Sequence, residues 1–225
     1  MKNITKMQFH TFSPLNQKIM TKEERSLFSL SDDLKAILVG LLLGDLYARK
    51  QKRNVNARLC FEQGLVHETY LFHLYDLFKS YCQSAPKTAS RLPDKRTGKI
   101  YSRVTFTTCA LPCFNELYDL FYPEGKKVIP KNICDLLSPL GLAYWICDDG
   151  TFASKNNSVI LCTNSYLESE VDSLIAVLSN NFGLNCCKYK HMTGFRIVIN
   201  KSSLVKLQGL VRSHVHSTML YKIGL

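Results

Sequence analysis

The 225-residue chain has no apolar run long enough to cross a membrane. The longest, Ala36 to Gly44, is nine residues, against the roughly 18–20 that a spanning helix needs. The N-terminus lacks the pattern of a secretory signal, and no membrane partner is expected. Acidic residues are scarce, 18 against 29 lysines and arginines, and residues 1–22 contain none. That stretch also lacks arginine, which argues against an arginine-rich transit peptide; it reads as an irregular arm. Nine cysteines are present without a CxxC pair. Cys186 and Cys187 are adjacent, and Cys109 and Cys113 have no histidine pair at zinc-finger spacing, so buried reduced thiols are expected rather than zinc or disulfides. With 46% apolar and 21% charged residues, the chain is not disordered and can bury one large core or two modest ones. The formal charge of +11 points to a polyanionic partner, provided that the bases cluster.

What the sequence does contain is a series of elements that occurs twice. Ser31 is a capping hydroxyl ahead of Asp32 and Asp33, acids favoured at a helix start; the apolar run follows and stops at Gly44-Asp45. About a hundred residues later Ser138-Pro139 opens a second helix, which runs through Leu142-Ala143-Tyr144-Trp145-Ile146-Cys147 and stops at Asp148-Asp149-Gly150. Each helix is followed by a period-two segment (57–62; 158–163). Each then has an amphipathic stripe, Tyr70, Leu71, Leu74, Leu77, Phe78 and Tyr81 in the first half and Val171, Leu174, Ile175, Leu178 and Phe182 in the second. Ser165 and Glu168 read as a capping box for the latter. Hairpins follow, with strands near 87–93 and 99–108 around the turn 93–98, and 185–191 and 195–200 around Met192-Thr193-Gly194. A short helix closes each half. The order predicts an α+β fold, α-β-β-α-β-β-α twice. Its parts are an N-terminal arm at 1–30, a first half at 31–121, a linker at 122–137 and a second half at 138–225.

The bases do cluster. Arg49, Lys50, Lys52, Arg53 and Arg58 fall within ten residues that hold no acid, and Lys87 to Arg103 hold six bases (Lys87, Arg91, Lys95, Arg96, Lys99 and Arg103) and one acid, Asp94. On the strand after the turn, Lys99, Tyr101, Arg103, Thr105 and Thr107 are expected on one side, with Ile100, Val104 and Phe106 on the other. Lys188, Lys190 and Arg196 lie on the matching hairpin of the second half, and Lys155 on its first strand pair. Arginine and lysine can grip phosphate or guanine, while threonine and tyrosine add smaller hydrogen-bonding groups. A two-stranded ribbon fits the major groove of double-stranded DNA.

Two acids stand where chemistry is expected. Asp45 and Asp149 each end a helix, against the negative end of its dipole and the unpaired carbonyls of its last turn, a placement that costs about 0.3–1 kcal/mol unless a positive group is near. If the two helices pack side by side, like-charge repulsion is added. A divalent cation relieves both, and carboxylates with free carbonyls are the hard oxygen ligands that Mg2+ takes. Gly40 and Gly44 share a face and permit close packing, with Ala143 and Cys147 as the matching small pair.

The segments Leu38-Val39-Gly40-Leu41-Leu42-Leu43-Gly44-Asp45 and Leu142-Ala143-Tyr144-Trp145-Ile146-Cys147-Asp148-Asp149-Gly150 resemble the two motifs of monomeric LAGLIDADG homing endonucleases. With Lys126-Lys127-Val128-Ile129-Pro130 and Tyr221-Lys222, the likeness is nearest to the omega-intron type of mitochondrial large ribosomal RNA genes. The resemblance implies a pseudo-twofold fold with paired motif helices between two four-stranded sheets that form a saddle. It implies Asp45 and Asp149 as metal-binding catalytic acids, the carbonyls of Gly44 and Asp148 as further ligands, and Lys127 and Lys222 as active-site bases. The metal would be Mg2+, with Mn2+ or Ca2+ able to take the same sites. It also implies cleavage of both strands of a long asymmetric site with 3′ overhangs, action as a monomer, and a mitochondrial or chloroplast home. Two departures stand out: Leu46 replaces the final glycine of the first motif, and Tyr144 the interior glycine of the second. Two rival readings are an intron RNA maturase on the same fold and a DNA-binding regulator without catalysis.

Overall fold

The computed structural model describes residues 20–51, 55–90, 92–192 and 194–225. The expected arm up to residue 19, and the expected DNA-binding residues Lys52, Arg53 and Arg91, lie outside the described residues.

Helix α1 (Lys22–Ser26) lies within the expected N-terminal arm 1–30, starting where the stretch expected to be irregular ends. Its start is held reciprocally: the Thr21 hydroxyl accepts the Glu24 N–H (3.2 Å) and the Glu24 carboxylate accepts the Thr21 N–H (2.7 Å), so two otherwise unpaired donors are satisfied. The first half then runs α2 (Asp32–Leu43), β1 (Tyr47–Arg49), β2 (Arg58–Gly64), α3 (Glu68–Phe78), β3 (Lys87–Ser90), β4 (Ser102–Thr107) and α4 (Asn115–Phe121). After the short α5 (Ile133–Leu136), the second half repeats the order with α6 (Pro139–Asp149), β5 (Gly150–Ala153), β6 (Ser158–Leu161), α7 (Glu168–Phe182), β7 (Cys186–His191), β8 (Gly194–Ile199) and α8 (Leu204–Val211). The two sheets have matching orders, β1-β2-β4-β3 and β5-β6-β8-β7, and all pairs are antiparallel. The α+β architecture with two pseudo-symmetric halves is thus the one expected.

Alternation decides what each sheet buries. Leu59, Phe61, Val104 and Phe106 turn inward, and the Phe61 and Phe106 rings stack with centroids 4.3 Å apart beneath α3. In the second sheet Val159, Leu161, Ile197 and Ile199 do the same against α7. Strand β4 begins at Ser102 rather than 99, so Ile100 misses the inner face and is 62% exposed. Helix α7 is capped two residues later than expected: Leu167 is its cap and the Glu170 carboxylate accepts the Leu167 N–H (2.8 Å), which replaces the Ser165–Glu168 box. The same carboxylate accepts the Ile129 N–H (2.9 Å). With Ile129, Ile133 and Leu137 buried, the 122–137 segment is packed against the core.

The motif helices α2 and α6 pack against each other at backbone distance. A methyl built on Gly40 would lie 1.9 Å from the Gly141 carbonyl oxygen, and one on Gly44 2.6 Å from Asp148 Cβ. The close partner in α6 is therefore Gly141, rather than the expected Ala143 and Cys147. Tyr144 shows the asymmetry that its bulk requires: its hydroxyl leaves the helix pair and hydrogen-bonds His73 Nε2 on α3 (2.8 Å). All nine cysteines are free. Cys147 alone among them is buried, six are half-buried and Cys134 and Cys187 are exposed, so the expectation of buried thiols holds for one position only.

Candidate active site and nucleic-acid interface

The two motif helices converge on the two acids. Helix α2 stops at Leu43 with Gly44 as its cap, leaving Asp45 just beyond the helix, whereas α6 continues through Asp149. Leu46 explains part of the difference: it is buried and its N–H bonds the Leu41 carbonyl (3.1 Å), turning the chain away where the second half enters β5 directly at Gly150.

Each helix end already has a cation. Lys127 Nζ donates to the Gly44 carbonyl (2.6 Å) and the Leu46 carbonyl (3.2 Å). Lys222 Nζ donates to the Cys147 carbonyl (2.5 Å) and the Asp148 carbonyl (2.8 Å). Gly44 and Asp148 hold the same place in the two motifs, so each half caps its own motif helix with its own lysine. Such an ammonium satisfies last-turn carbonyls and opposes the dipole's negative end. Lys222 is buried at 7% exposure, and it reaches the site from the turn-rich C-terminal segment 217–223. Burial lowers the Lys127 pKa, while Asp149, Asp148 and Asp45 raise it again.

The Asp148 side chain is a participant that sequence reasoning missed, since the resemblance assigned only its carbonyl. Its carboxylate accepts the Asp45 N–H (3.2 Å), the Gln63 amide (3.3 Å) and the Tyr70 hydroxyl (3.3 Å). All three donors come from the first half. Tyr166 makes the reciprocal crossing, donating to the Leu43 carbonyl (2.9 Å) at the end of α2. Burial and then the nearby Asp45 and Asp149 push the Asp148 pKa well up. Asp149 is pushed up to about 7, by burial first and Asp45 second, with Lys127 and Lys222 opposing.

This donor set fits a hard divalent cation. Asp45 lies just past the end of α2 and Asp149 at the end of α6, and the charge of Asp45 raises the proton affinity of Asp149. Among the described residues no three His, Cys, Asp or Glu side chains are grouped to hold an ion. An ion here would therefore rest on Asp45 and Asp149, with backbone oxygens and non-protein oxygens completing its shell. The Gly44 and Asp148 carbonyls each keep a second lone pair beside the lysine bond.

The strand registers sort the expected DNA-binding residues. On the outer face of the first sheet, Arg58, Cys60 and Glu62 stand beside Arg49, Tyr47, Thr107 and Thr105, and Lys87 and Ala89 beside Thr105 and Arg103. Arg49, from the first basic cluster, joins this face, as does Tyr47, which had not been singled out. Arg103 is paired with Glu62 (2.7 Å), and Lys50 with Asp119 (2.6 Å) over the Tyr118 ring. Lys95, Arg96, Lys99 and Tyr101 are exposed in the 93–101 loop. Its turn is held by Asp94, whose carboxylate accepts the Arg96 and Thr97 N–H groups. Lys155 is exposed in the turn between β5 and β6.

The second sheet departs from the expectation. Lys188 pairs across to the buried Ile197 and Lys190 to Phe195, so both belong to the face turned toward α7. There Lys188 is bound by Glu168 (2.7 Å) and Asp172 (2.6 Å). Arg196 is on the opposite, outer face beside Tyr189, its guanidinium donating to Asn164 (2.9 Å). Grouping the three by hairpin ignored the parity of the strand, which puts them on two faces.

The fold and site together define a two-motif nuclease scaffold. The chain matches the profile of the LAGLIDADG DNA endonuclease family over residues 35–207, and it belongs to that family. It is 32% identical over 87% of its length to the cytochrome b mRNA maturase bI2 of Debaryomyces hansenii, covering 75% of that protein. It is also 32% identical to the bI2 maturase of Saccharomyces cerevisiae over 87% of its length, of which it spans about half (48%). Among solved structures, the homing endonuclease I-WcaI bound to its DNA recognition sequence superposes with a TM-score of 0.85 at 27% identity, over 93% of this chain and 95% of that one. Among the described residues no helix is long and apolar enough to cross a membrane.

Proposed function

We propose that this chain is a site-specific homing endonuclease that hydrolyses both strands of a long, asymmetric double-stranded DNA site. It acts as a monomer with Mg2+ bound between Asp45 and Asp149, leaves 3′ overhangs and supports the homing of an intron in a mitochondrial or chloroplast genome. The observation that carries this reading is the paired helix ends: one carboxylate from each half at the α2–α6 junction, each beside a lysine-capped carbonyl. The likeness to a DNA-bound homing endonuclease over nearly the whole chain supports the duplex as substrate. The expected arrangement of halves (31–121 and 138–225, joined by 122–137) gives each strand of the duplex its own acid.

The chain's own groups divide the work. Asp45 and Asp149 would hold the cation, one carboxylate on either side of the helix pair, and orient attacking water there. Lys127 and Lys222 set positive charge beside the phosphate oxygens where negative charge develops. Asp148 fixes the Asp45 backbone and so the aim of its carboxylate. A bound divalent ion supplies water activation and stabilisation of the leaving oxygen. The basic outer face of the first sheet, with Lys87, Arg58, Arg103 and Thr105, sits in the major groove with Tyr101 from the adjoining loop, and Arg196 serves the second sheet.

The test is cleavage by Asp45→Asn and Asp149→Asn variants on a plasmid carrying the joined exons that flank the host intron. Double-strand cleavage is expected to be lost, with duplex binding retained. Full activity in either variant removes the assignment. Lys127→Ala and Lys222→Ala should reduce cleavage more than binding. The omega-intron likeness proposes a large ribosomal RNA gene as that target.

A second reading is favoured by the two maturase relatives: the same chain assists splicing of its intron RNA. Splicing of that intron with and without protein, using the cleavage-dead variants, separates the activities.

A further inference from the structure

Away from the helix ends, a polar cavity of about 260 Å³ opens where α1 meets the ends of the central strands β2 and β4 of the first sheet. It is lined by Met20, Arg25, Arg58, Gln83, Ser84, Thr107, Thr108, Cys109 and Ala110. None of these is acidic. Two arginines from distant parts of the chain converge on it, Arg25 from α1 and Arg58 from β2, and both bear electrostatically on the Cys109 thiol. The Nε atoms of both are buried without a hydrogen-bond partner among the described residues. A buried guanidinium donor left unpaired carries its uncompensated desolvation penalty, so the arrangement favours an acceptor. Carboxylates from the N-terminal stretch cannot serve, because residues 1–22 contain none.

Geometry narrows the acceptor. Arg58 and Thr107 share the outer face of the first sheet, since Thr107 is the partner of Cys60, two residues along β2 from Arg58. The cavity therefore continues the surface assigned to DNA, at the end nearest α1. Two convergent guanidinium forks with threonine and serine hydroxyls match the oxygens of a phosphodiester, for which planar bidentate donors are suited.

We infer that the Arg25–Arg58 cavity is a phosphate clamp that seats one backbone phosphate of the bound duplex, with α1 as the piece that closes it. This rests on the DNA-binding reading above. It gives the short helix ahead of the repeated halves a role in holding the DNA register without reading bases.

The experiment is the salt dependence of binding to a non-specific 30-base-pair duplex, followed by fluorescence anisotropy. Loss of one phosphate contact should reduce the slope of log K against log[KCl] by about 0.9. Arg25→Gln and Arg58→Gln should each show that reduction, and the double variant should lose no more than either single one. Arg25→Lys should keep the slope. Thermal melting of each variant identifies any that fails to fold, and the other single variant then carries the test. Wild-type slope in folded Arg25→Gln overturns the clamp. So does calorimetric binding of inorganic phosphate that depends on Arg25 and persists with duplex bound, or a slope change seen only with the intron RNA. A wild-type protein without steep salt dependence would instead overturn the DNA-binding reading itself.

Discussion

The outer faces of the two sheets have one topology and two chemistries. The first presents Arg49, Arg58, Lys87 and Arg103 among threonines. The second presents Arg196 and Tyr189 among Thr151, Ile160, Val198 and Cys187. A face dense in arginine and lysine draws its affinity from phosphates and guanine edges, whereas hydroxyls and methyl-bearing side chains contact thymine methyls and sugars with little salt dependence. On the proposed reading, the duplicated fold would present unlike halves to the two arms of one site, which suits an asymmetric sequence better than two identical subunits would.

The largest effect that would test this inequality is in the shared helix pair. Gly40→Ala forces a methyl against the Gly141 backbone at 1.9 Å, while Gly141→Ala meets the Ala36 carbonyl at 2.9 Å and the movable Leu137 side chain at 3.3 Å. Overpacking costs roughly 1–3 kcal/mol and more where backbone must move, so Gly40→Ala should cost about 3 kcal/mol and Gly141→Ala nearer 1. Urea unfolding measures both. Equal losses would show a symmetric seam and remove the structural reason for Tyr144 facing outward to His73.

Next in size is the contrast between Arg103 and Lys188. Arg103 is held by Glu62 (2.7 Å), but both lie on the outer face, where a phosphate can compete for the guanidinium. Arg103→Gln should therefore lower the salt slope by up to about 0.9, a severalfold loss of duplex affinity at low salt. Lys188→Gln, whose charge is held by Glu168 and Asp172 on the helix side, should leave duplex binding unchanged. If Lys188→Gln weakens binding as much as Arg103→Gln, the side chain leaves its acidic partners for DNA and the two faces are less different than their registers indicate.

Much of this frame was legible because it is written locally. Caps at Ser31 and Ser138, apolar stripes at helical spacing and the recurrence of the whole series place α2, α3, α6 and α7, and the ends of the motif helices identify Asp45 and Asp149. What escaped depends on partners far along the chain. That Lys188 points to α7 follows from pairing with Ile197, which no local pattern reveals. Asp148 meets Asp45, Gln63 and Tyr70, all from the other half. Gly141 lies one residue ahead of the recognisable motif, where the spacing of small residues gave no reason to look. The α1 cap, Thr21 with Glu24, was by contrast a readable capping box, hidden by attention to missing charges.

The smallest effect concerns where the unlike halves touch beside the motif helices. The His73 and His216 rings, from α3 and the C-terminal segment, have centroids 4.8 Å apart, with Tyr144 bonded to His73. Burial first, then His216, lowers the His73 pKa against a raising effect of Asp76, and burial lowers that of His216. The folded protein therefore binds fewer protons than the unfolded chain just below the ordinary histidine pKa of about 6.5. Stability contributed by the neutral pair is present above that value and is lost as pH falls through it. His73→Gln, which keeps a hydrogen-bonding group for Tyr144, should flatten the fall in Tm between pH 7.5 and 5 in metal-free buffer. A parallel fall in wild type and variant would mean that the histidine contact does not couple protonation to the joining of the halves.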